Sequence, residues 1–183
     1  ISTADFKYAE KLGCVVKLLA TSYRRDEKVY VITAPFMIDS THPLYNVNDV
    51  LNGIYVHGNV LGNVMFFGAG AGKLPTASAV VADVVDCVKH KGTNVMTVWA
   101  KTKLELGKTD DEVREFFVRI NGDASKDADA VKAAFGDVSV ITVDGIEGEF
   151  GFVTCEMTEK AFNEAAKKFS VINRIRIDKT ILK

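Results

Sequence analysis

Residues 115–177 read EFFVRINGDASKDADAVKAAFGDVSVITVDGIEGEFGFVTCEMTEKAFNEAAKKFSVINRIRI, and along them the hydrophobic period switches between that of a strand and that of a helix. Glu115 to Asn121 alternates, placing Phe116, Val118 and Ile120 on one side. Asp127 to Phe135 is helix-like, and Val138 to Val143 and Glu149 to Cys155 read as strands around an Asp144-Gly145 turn. Thr158 then caps a helix whose inner face carries Ala161, Phe162, Ala165, Ala166 and Phe169, and Val171 to Ile177 alternates again. The order is β-α-β-β-α-β, the split-βαβ or ferredoxin-like arrangement: four antiparallel strands with two helices on one face. A unit of about 70 residues has little core of its own, so its second sheet face or an edge is expected to find cover in a second copy.

Upstream, residues 92–112 are irregular, carry Trp99 and several charges, and read as a connection that can hold a short strand of its own. Before it stands FFGAGAGKLPTASAVVADVVD, residues 66–86, a glycine run between an apolar strand and an apolar helix. The helix is predicted from Pro75 to about His90, because Ala77, Val80, Val81, Val84, Val85 and Val88 recur at helical spacing and a proline suits the first turn. Two strands precede it, Gly53 to His57 and Val60 to Phe67, joined by a tight Gly58-Asn59 turn, and Asp39 to Asp49 is loop chemistry. Farther upstream, Cys14 to Ala20 and Lys28 to Ile38 form a hairpin around Arg24-Arg25-Asp26-Glu27. Ser2-Thr3-Ala4-Asp5 is a capping box that opens a short helix ending near Gly13.

The composition narrows the function. A chain of 183 residues with 48% hydrophobic content suits one domain or two small ones, and its 23 basic and 24 acidic residues offer no stripe for nucleic acid. Cys14, Cys87 and Cys155 lack disulfide or zinc spacing and read as small buried apolar residues; His42, His57 and His90 are too scattered to ligate a metal. No metal and no membrane span are predicted, and a reducing cytoplasm is the expected location. The chain opens on Ile1 rather than methionine and is read as a piece of a longer protein.

Gly68, Gly70 and Gly72 can cradle phosphate, since glycine permits close backbone approach and the following helix offers its positive end. The run fails both stringent motifs. Lys73 stands where a dinucleotide fingerprint needs its third glycine, and Phe67 and Leu74 replace residues that a P-loop requires. By local motif, a phosphate cradle and a plain strand-to-helix turn both remain open.

The segments FKYAEKLGCVVKLLA (6–20) and HPLYNVNDVLNGIYVHGNVLGNVMFFGAGAGKLPTASAVVADVVD (42–86), followed by the β-α-β-β-α-β unit, resemble the C-terminal half of a bacterial homoserine dehydrogenase ending in an ACT domain. The resemblance implies an α+β fold: residues 1–91 as part of the mixed-sheet catalytic and dimerisation domain, 92–112 as connection, and 113–183 as an ACT-like regulatory domain. It implies NAD(P)-dependent interconversion of L-homoserine and L-aspartate 4-semialdehyde, with the glycine segment at the lip of the cofactor site. Gly70 is the first choice for that contact, with Gly68 and Gly72 beside it. The family's dinucleotide fingerprint, catalytic lysine and acidic substrate residues precede the position matching Ile1, so no catalytic residue is assigned. No cofactor is expected on this piece alone, and Lys7, Lys11 and Lys17 read as solvated charges.

The resemblance also implies feedback by an amino acid, commonly L-threonine, at the turn after the first strand of the ACT unit, and a homodimer or higher homo-oligomer. Here that turn is Asn121-Gly122-Asp123, where free backbone N–H groups and the Asn121 amide can receive a carboxylate. It lacks the family's usual Pro-Gly, and a simple strand-to-helix turn stays open beside the effector reading. A stand-alone amino-acid-binding regulator and a purely structural dimerisation module remain as alternatives.

Overall fold

The computed structural model describes residues 1–93 and 97–179, and the chain divides into two units. One consists of Ile1–His42 with Leu104–Lys183, the other of Pro43–Lys103. The units cut across the linear division at residues 91 and 112, because the N-terminal hairpin pairs with the last strand of the chain.

In the first unit, helix α1 (Thr3–Lys11) opens with the Ser2/Asp5 capping box: the Ser2 backbone N–H donates to Asp5 Oδ2 at 2.6 Å. Gly13, at φ +68°, ends it in the left-handed conformation that a side chain would disfavour. Strands β1 (Cys14–Arg25) and β2 (Lys28–Asp39) form an antiparallel hairpin whose turn is Asp26-Glu27, both at positive φ. The first strand runs five residues beyond its expected end at Ala20. Its polar tip is held by ladder bonds and by Tyr23 stacked on Tyr30 at 5.2 Å, with Arg25 over the Tyr30 ring, rather than by burial.

The second unit carries a separate hairpin, β3 (Leu51–Gly58) and β4 (Gly62–Ala69), then helix α2 (Lys73–Lys89). Its turn is not at Gly58-Asn59: Gly58 pairs with Gly62, and the chain reverses over residues 59–61, with Gly62 at φ +69° absorbing the reversal. No residue of α2 is buried, and Val80, Val81, Val84, Val85 and Val88 are all exposed.

Returning to the first unit, the connection carries the two-residue strand β5 (Glu105–Leu106) on β2 and a 3-10 turn at Thr109–Asp111. Then follow β6 (Val113–Asn121), α3 (Ala124–Phe135), β7 (Ser139–Ile141), β8 (Glu149–Val153), β9 (Met157–Thr158), α4 (Glu159–Ala166) and β10 (Val171–Ile177). Spatial order β10-β6-β8-β7, with antiparallel neighbours, is the ferredoxin-like sheet, and β2 joins its β10 edge in parallel through Phe36↔Arg176 and Met37↔Ile177. The α4 cap is as expected, the Thr158 hydroxyl accepting from Ala161 N at 3.1 Å.

Alternation along β6 sends its residues to two different cores. Phe116, Val118 and Ile120 pack with Val131, Phe135, Phe150, Phe152 and Phe162 beneath α3 and α4. Phe117 faces the other way, against Tyr8 and Ala9 of α1, Met37 and Ile175. The second face, expected to need another copy, is thus covered by α1 of the same chain. Gly151 makes this possible: a Cβ there would lie 2.9 Å from both the Phe117 and Tyr8 rings.

Candidate functional site

The glycine segment leaves β4 and enters α2, and its three glycines stand in different surroundings. Gly68 has nothing within 4 Å of where a Cβ would lie. At Gly70 a Cβ would collide with the Asn52 amide, and the Gly70 N–H donates to Val50 O at 3.2 Å. Gly72, at φ +113°, is the N-cap of α2. No side chain caps this helix and no acidic residue stands in its first turn, which begins with Lys73. An uncapped helix N-terminus with an adjacent lysine favours an anion such as a pyrophosphate. The Gly70 backbone is thus engaged with Val50 and closely approached by Asn52, while the start of α2 has no side-chain cap. The glycines were legible in the local sequence as a strand-to-helix run; Asn52, which approaches Gly70, carried no local signal of its own.

Asn121, Gly122 and Asp123 lie together at the β6–α3 turn in the first unit, a different unit from the glycine segment. Their N–H groups are already engaged: Asn121 N donates to Ser170 O, Gly122 N to Gly148 O at 3.0 Å, and Asp123 N to Asp127 Oδ2 at 2.8 Å. The Asn121 amide donates to Ser170 Oγ at 2.8 Å. Asp123 caps α3 by accepting from the Ser125 hydroxyl and N–H, which hold its carboxyl below the usual range. The expectation of free donors is corrected here. The Asp127 carboxylate of the chain itself occupies the Asp123 N–H.

Next to the turn is a group the sequence did not reveal. Arg119, 5% exposed at its side chain, grips Glu149 through Nε at 3.0 Å and Nη2 at 2.8 Å to each carboxylate oxygen. Its Nη1 donates to Asp5 Oδ1 at 2.6 Å and to Ser2 Oγ at 2.9 Å, and Asn173 donates to Asp5 Oδ2 at 2.9 Å. Burial pushes the Asp5 carboxyl up, but the bonds from Arg119 and the Ser2 N–H outweigh it and leave Asp5 below its ordinary value. The signal was an arginine between Val118 and Ile120 in the apolar run Phe116–Ile120, on the face opposite Phe116 and Val118; its partners are too distant in sequence to be paired with it by inspection.

Among the other residues singled out, Lys7 and Lys11 are exposed, Lys11 donating to Thr142 O at 2.6 Å, and Lys17 is half-buried. His57 and His90 are exposed and bonded to Asn63 and Asp86, and His42 is buried, which pushes its pKa down. The cysteines differ from expectation: Cys14 is half-buried, while Cys87 and Cys155 are exposed. Cys87 lies on the unburied α2, and Cys155 follows the end of β8, where the chain leaves the sheet core. Among the described residues no three His, Cys, Asp or Glu side chains gather as metal ligands, and no helix is long and apolar enough to cross a membrane.

Residues 1–85 match the family model described as Homoserine dehydrogenase. A homoserine dehydrogenase of Synechocystis is 47% identical over 92 residues, 48% of this chain and 21% of that protein; one from Bacillus subtilis is 37% identical over 90 residues, 49% and 21%. A solved homoserine dehydrogenase from Thiobacillus denitrificans superimposes with a TM-score of 0.78 at 25% identity, covering 97% of this chain and 46% of its own. The α+β fold with its mixed sheet is therefore that of these enzymes, and this chain spans less than half the length of that solved relative.

Proposed function

We propose, from the premise that residues 1–85 belong to the homoserine dehydrogenase family, that the chain forms the C-terminal part of an NAD(P)-dependent oxidoreductase. The reaction is interconversion of L-homoserine and L-aspartate 4-semialdehyde, in threonine, methionine and isoleucine biosynthesis, carried out in the cytoplasm by a homodimer or higher homo-oligomer. The observation that carries this reading is the family match running through the glycine segment into α2. The residues fit the dinucleotide: an uncapped helix start, Gly72 at φ +113° and Lys73 favour its pyrophosphate, and Gly70 keeps the loop side-chain-free against Asn52. When bound, NAD(P) supplies the hydride acceptor or donor. The role of Gly68, Gly70, Gly72 and the first turn of α2 is to bind and orient its phosphates, and no residue of this chain is assigned proton transfer.

Two assays test this. In the natural-length protein, Gly72→Val should raise KM for NAD(P) with little change in KM for L-homoserine; an unchanged cofactor KM would remove the glycine segment from the site. The 183-residue chain alone should not oxidise L-homoserine with either cofactor, and turnover by homogeneous material would show that the catalytic groups lie within it.

Within this reading, residues 1–91 are the catalytic-domain part, 92–112 the connection and 113–183 an ACT-like regulatory domain. L-threonine is the first candidate effector, bound at Asn121, Gly122 and Asp123 by taking their donors from Ser170, Gly148 and Asp127. Calorimetric titration of the chain with L-threonine should show saturable binding, whereas no heat from any of a panel of amino acids would end the effector assignment. A second reading, a stand-alone amino-acid-binding module, is favoured by one observation: the ferredoxin-like sheet of the first unit is packed on both faces by the chain's own residues, which leaves the purely structural dimerisation alternative without that support.

A further inference from the structure

Two hydrogen-bonded routes lead from the β6–α3 turn to the same carboxylate. On the first, Gly122 N donates to Gly148 O; the next residue, Glu149, pairs with Asn121 in the sheet register and holds Arg119 through both carboxylate oxygens; Arg119 then holds Asp5 Oδ1 at 2.6 Å. On the second, Asn121 is bonded to Ser170 through its N–H and its amide; β10 begins at the next residue, and its register with β6 shifts between Val171 and Asn173; Asn173 then holds Asp5 Oδ2 at 2.9 Å. The routes use different strands and end on different oxygens of one buried residue. Asp5 is also the capping-box residue of α1, bonded to the Ser2 N–H.

A buried carboxylate needs both oxygens bonded, and here the two are served from different strands, Oδ1 from β6 and Oδ2 from β10. Here every polar arm that reaches Asp5 from the sheet starts within three residues of a residue bonded to the turn. Arg119 is 5% exposed and Asp5 1%, so neither can exchange its partner for water without opening the packing of α1 on Phe117. Such a cluster shifts between discrete arrangements more readily than it stretches.

We propose that Asp5 is the receiving end of a regulatory latch: occupancy of the turn at Asn121-Gly122-Asp123 is read at the N-terminus of α1 through Glu149–Arg119 and Ser170–Asn173. This rests on the effector reading of the turn. The turn donors now serve Gly148, Ser170 and Asp127, so a ligand that takes them alters both arms at their origin. By linkage, the docking of α1 changes the ligand's affinity by the same factor as the ligand changes the docking.

The experiment uses L-threonine and the whole 183-residue chain. Amide hydrogen exchange, with and without L-threonine, is expected to change at the turn and also across Thr3–Lys11, and Asp5→Asn is expected to shift the Kd for L-threonine by at least about fivefold, the lower end of ordinary allosteric coupling. Binding with exchange changes confined to the turn, and a Kd unaltered by Asp5→Asn, would overturn the latch while leaving the effector site standing. No binding by the wild-type chain would overturn the effector reading, and the latch with it. If Asp5→Asn does not fold, the wild-type exchange pattern decides alone, and Asn173→Ala, which cuts only the second arm, supplies the Kd comparison.

Discussion

The two units treat similar residues in opposite ways. In β6, Phe116 and Phe117 are completely buried on opposite faces of one strand, whereas in β4 the corresponding neighbours Phe66 and Phe67 are 63% and 57% exposed. The helices differ likewise: α3 buries Val131 and Phe135, and the valine-rich α2 buries nothing. Apolar content and helical spacing are thus no measure of burial. What separates the units is a second layer: the first lays α3 and α4 on one sheet face and α1 on the other, and the second has a two-stranded hairpin with no further strand among the described residues.

The sharpest test of this contrast is a pair of truncations. Phe116→Ala should cost about 3–5 kcal/mol in denaturant unfolding of the first unit. Phe66→Ala should leave that transition unmoved; a shift of similar size from both would erase the distinction. Comparable in size is Arg119→Ala, which strands Asp5 and Glu149 without their cation and should cost about 3–5 kcal/mol. Arg119→Met in combination with Asp5→Leu and Glu149→Leu should recover much of that loss, since an apolar replacement removes the unpaired charges.

Gly151→Ala comes next, at about 1–3 kcal/mol, because the added methyl meets the Tyr8 and Phe117 rings where α1 seats. Near-ultraviolet dichroism should register the displaced Tyr8, and an unmoved signal together with an unmoved midpoint would show that α1 is not pinned there. A smaller, pH-gated effect belongs to Asp5. Its carboxyl titrates below the ordinary 3.8 in the folded chain, so its contribution is fully present above that value and is lost as pH falls through the lower folded pKa. Unfolding midpoints measured from neutral pH down through this range should fall more steeply for the wild type than for Asp5→Asn, and parallel curves would contradict the assignment. Smallest of all, Val84→Ser on α2 should change stability by less than about 0.5 kcal/mol, and a larger loss would mean that this face is covered in solution.

Much of the local structure could be read directly. Strand β10 occupies Val171–Ile177 as its alternation predicts, Thr158 caps α4, and the Ser2/Asp5 box opens α1. Each of these is a signal contained within a few consecutive residues. The readings that went astray depended on distant partners. Thr21 to Arg25 extends β1 only because Lys28 to Ile32 lies opposite, and the reversal at 59–61 is set by where Gly58 and Gly62 pair. The free donors expected at Asn121-Gly122-Asp123 were taken by Ser170, Gly148 and Asp127, of which only Asp127 is close in sequence.

By itself, then, the sequence determined the order of the main strands and helices, the caps, the α+β class and the match of residues 1–85 to a family model, because periodicity, capping chemistry and a long specific motif are all local or linear. Tertiary structure alone decided that β2 extends the ferredoxin-like sheet, that α1 covers its second face, and that Arg119 meets Asp5 across 114 positions of chain. Those outcomes are set by which surfaces remain to be buried and which charges remain to be paired once the elements exist, and these demands are met by chain folding rather than by neighbours in sequence.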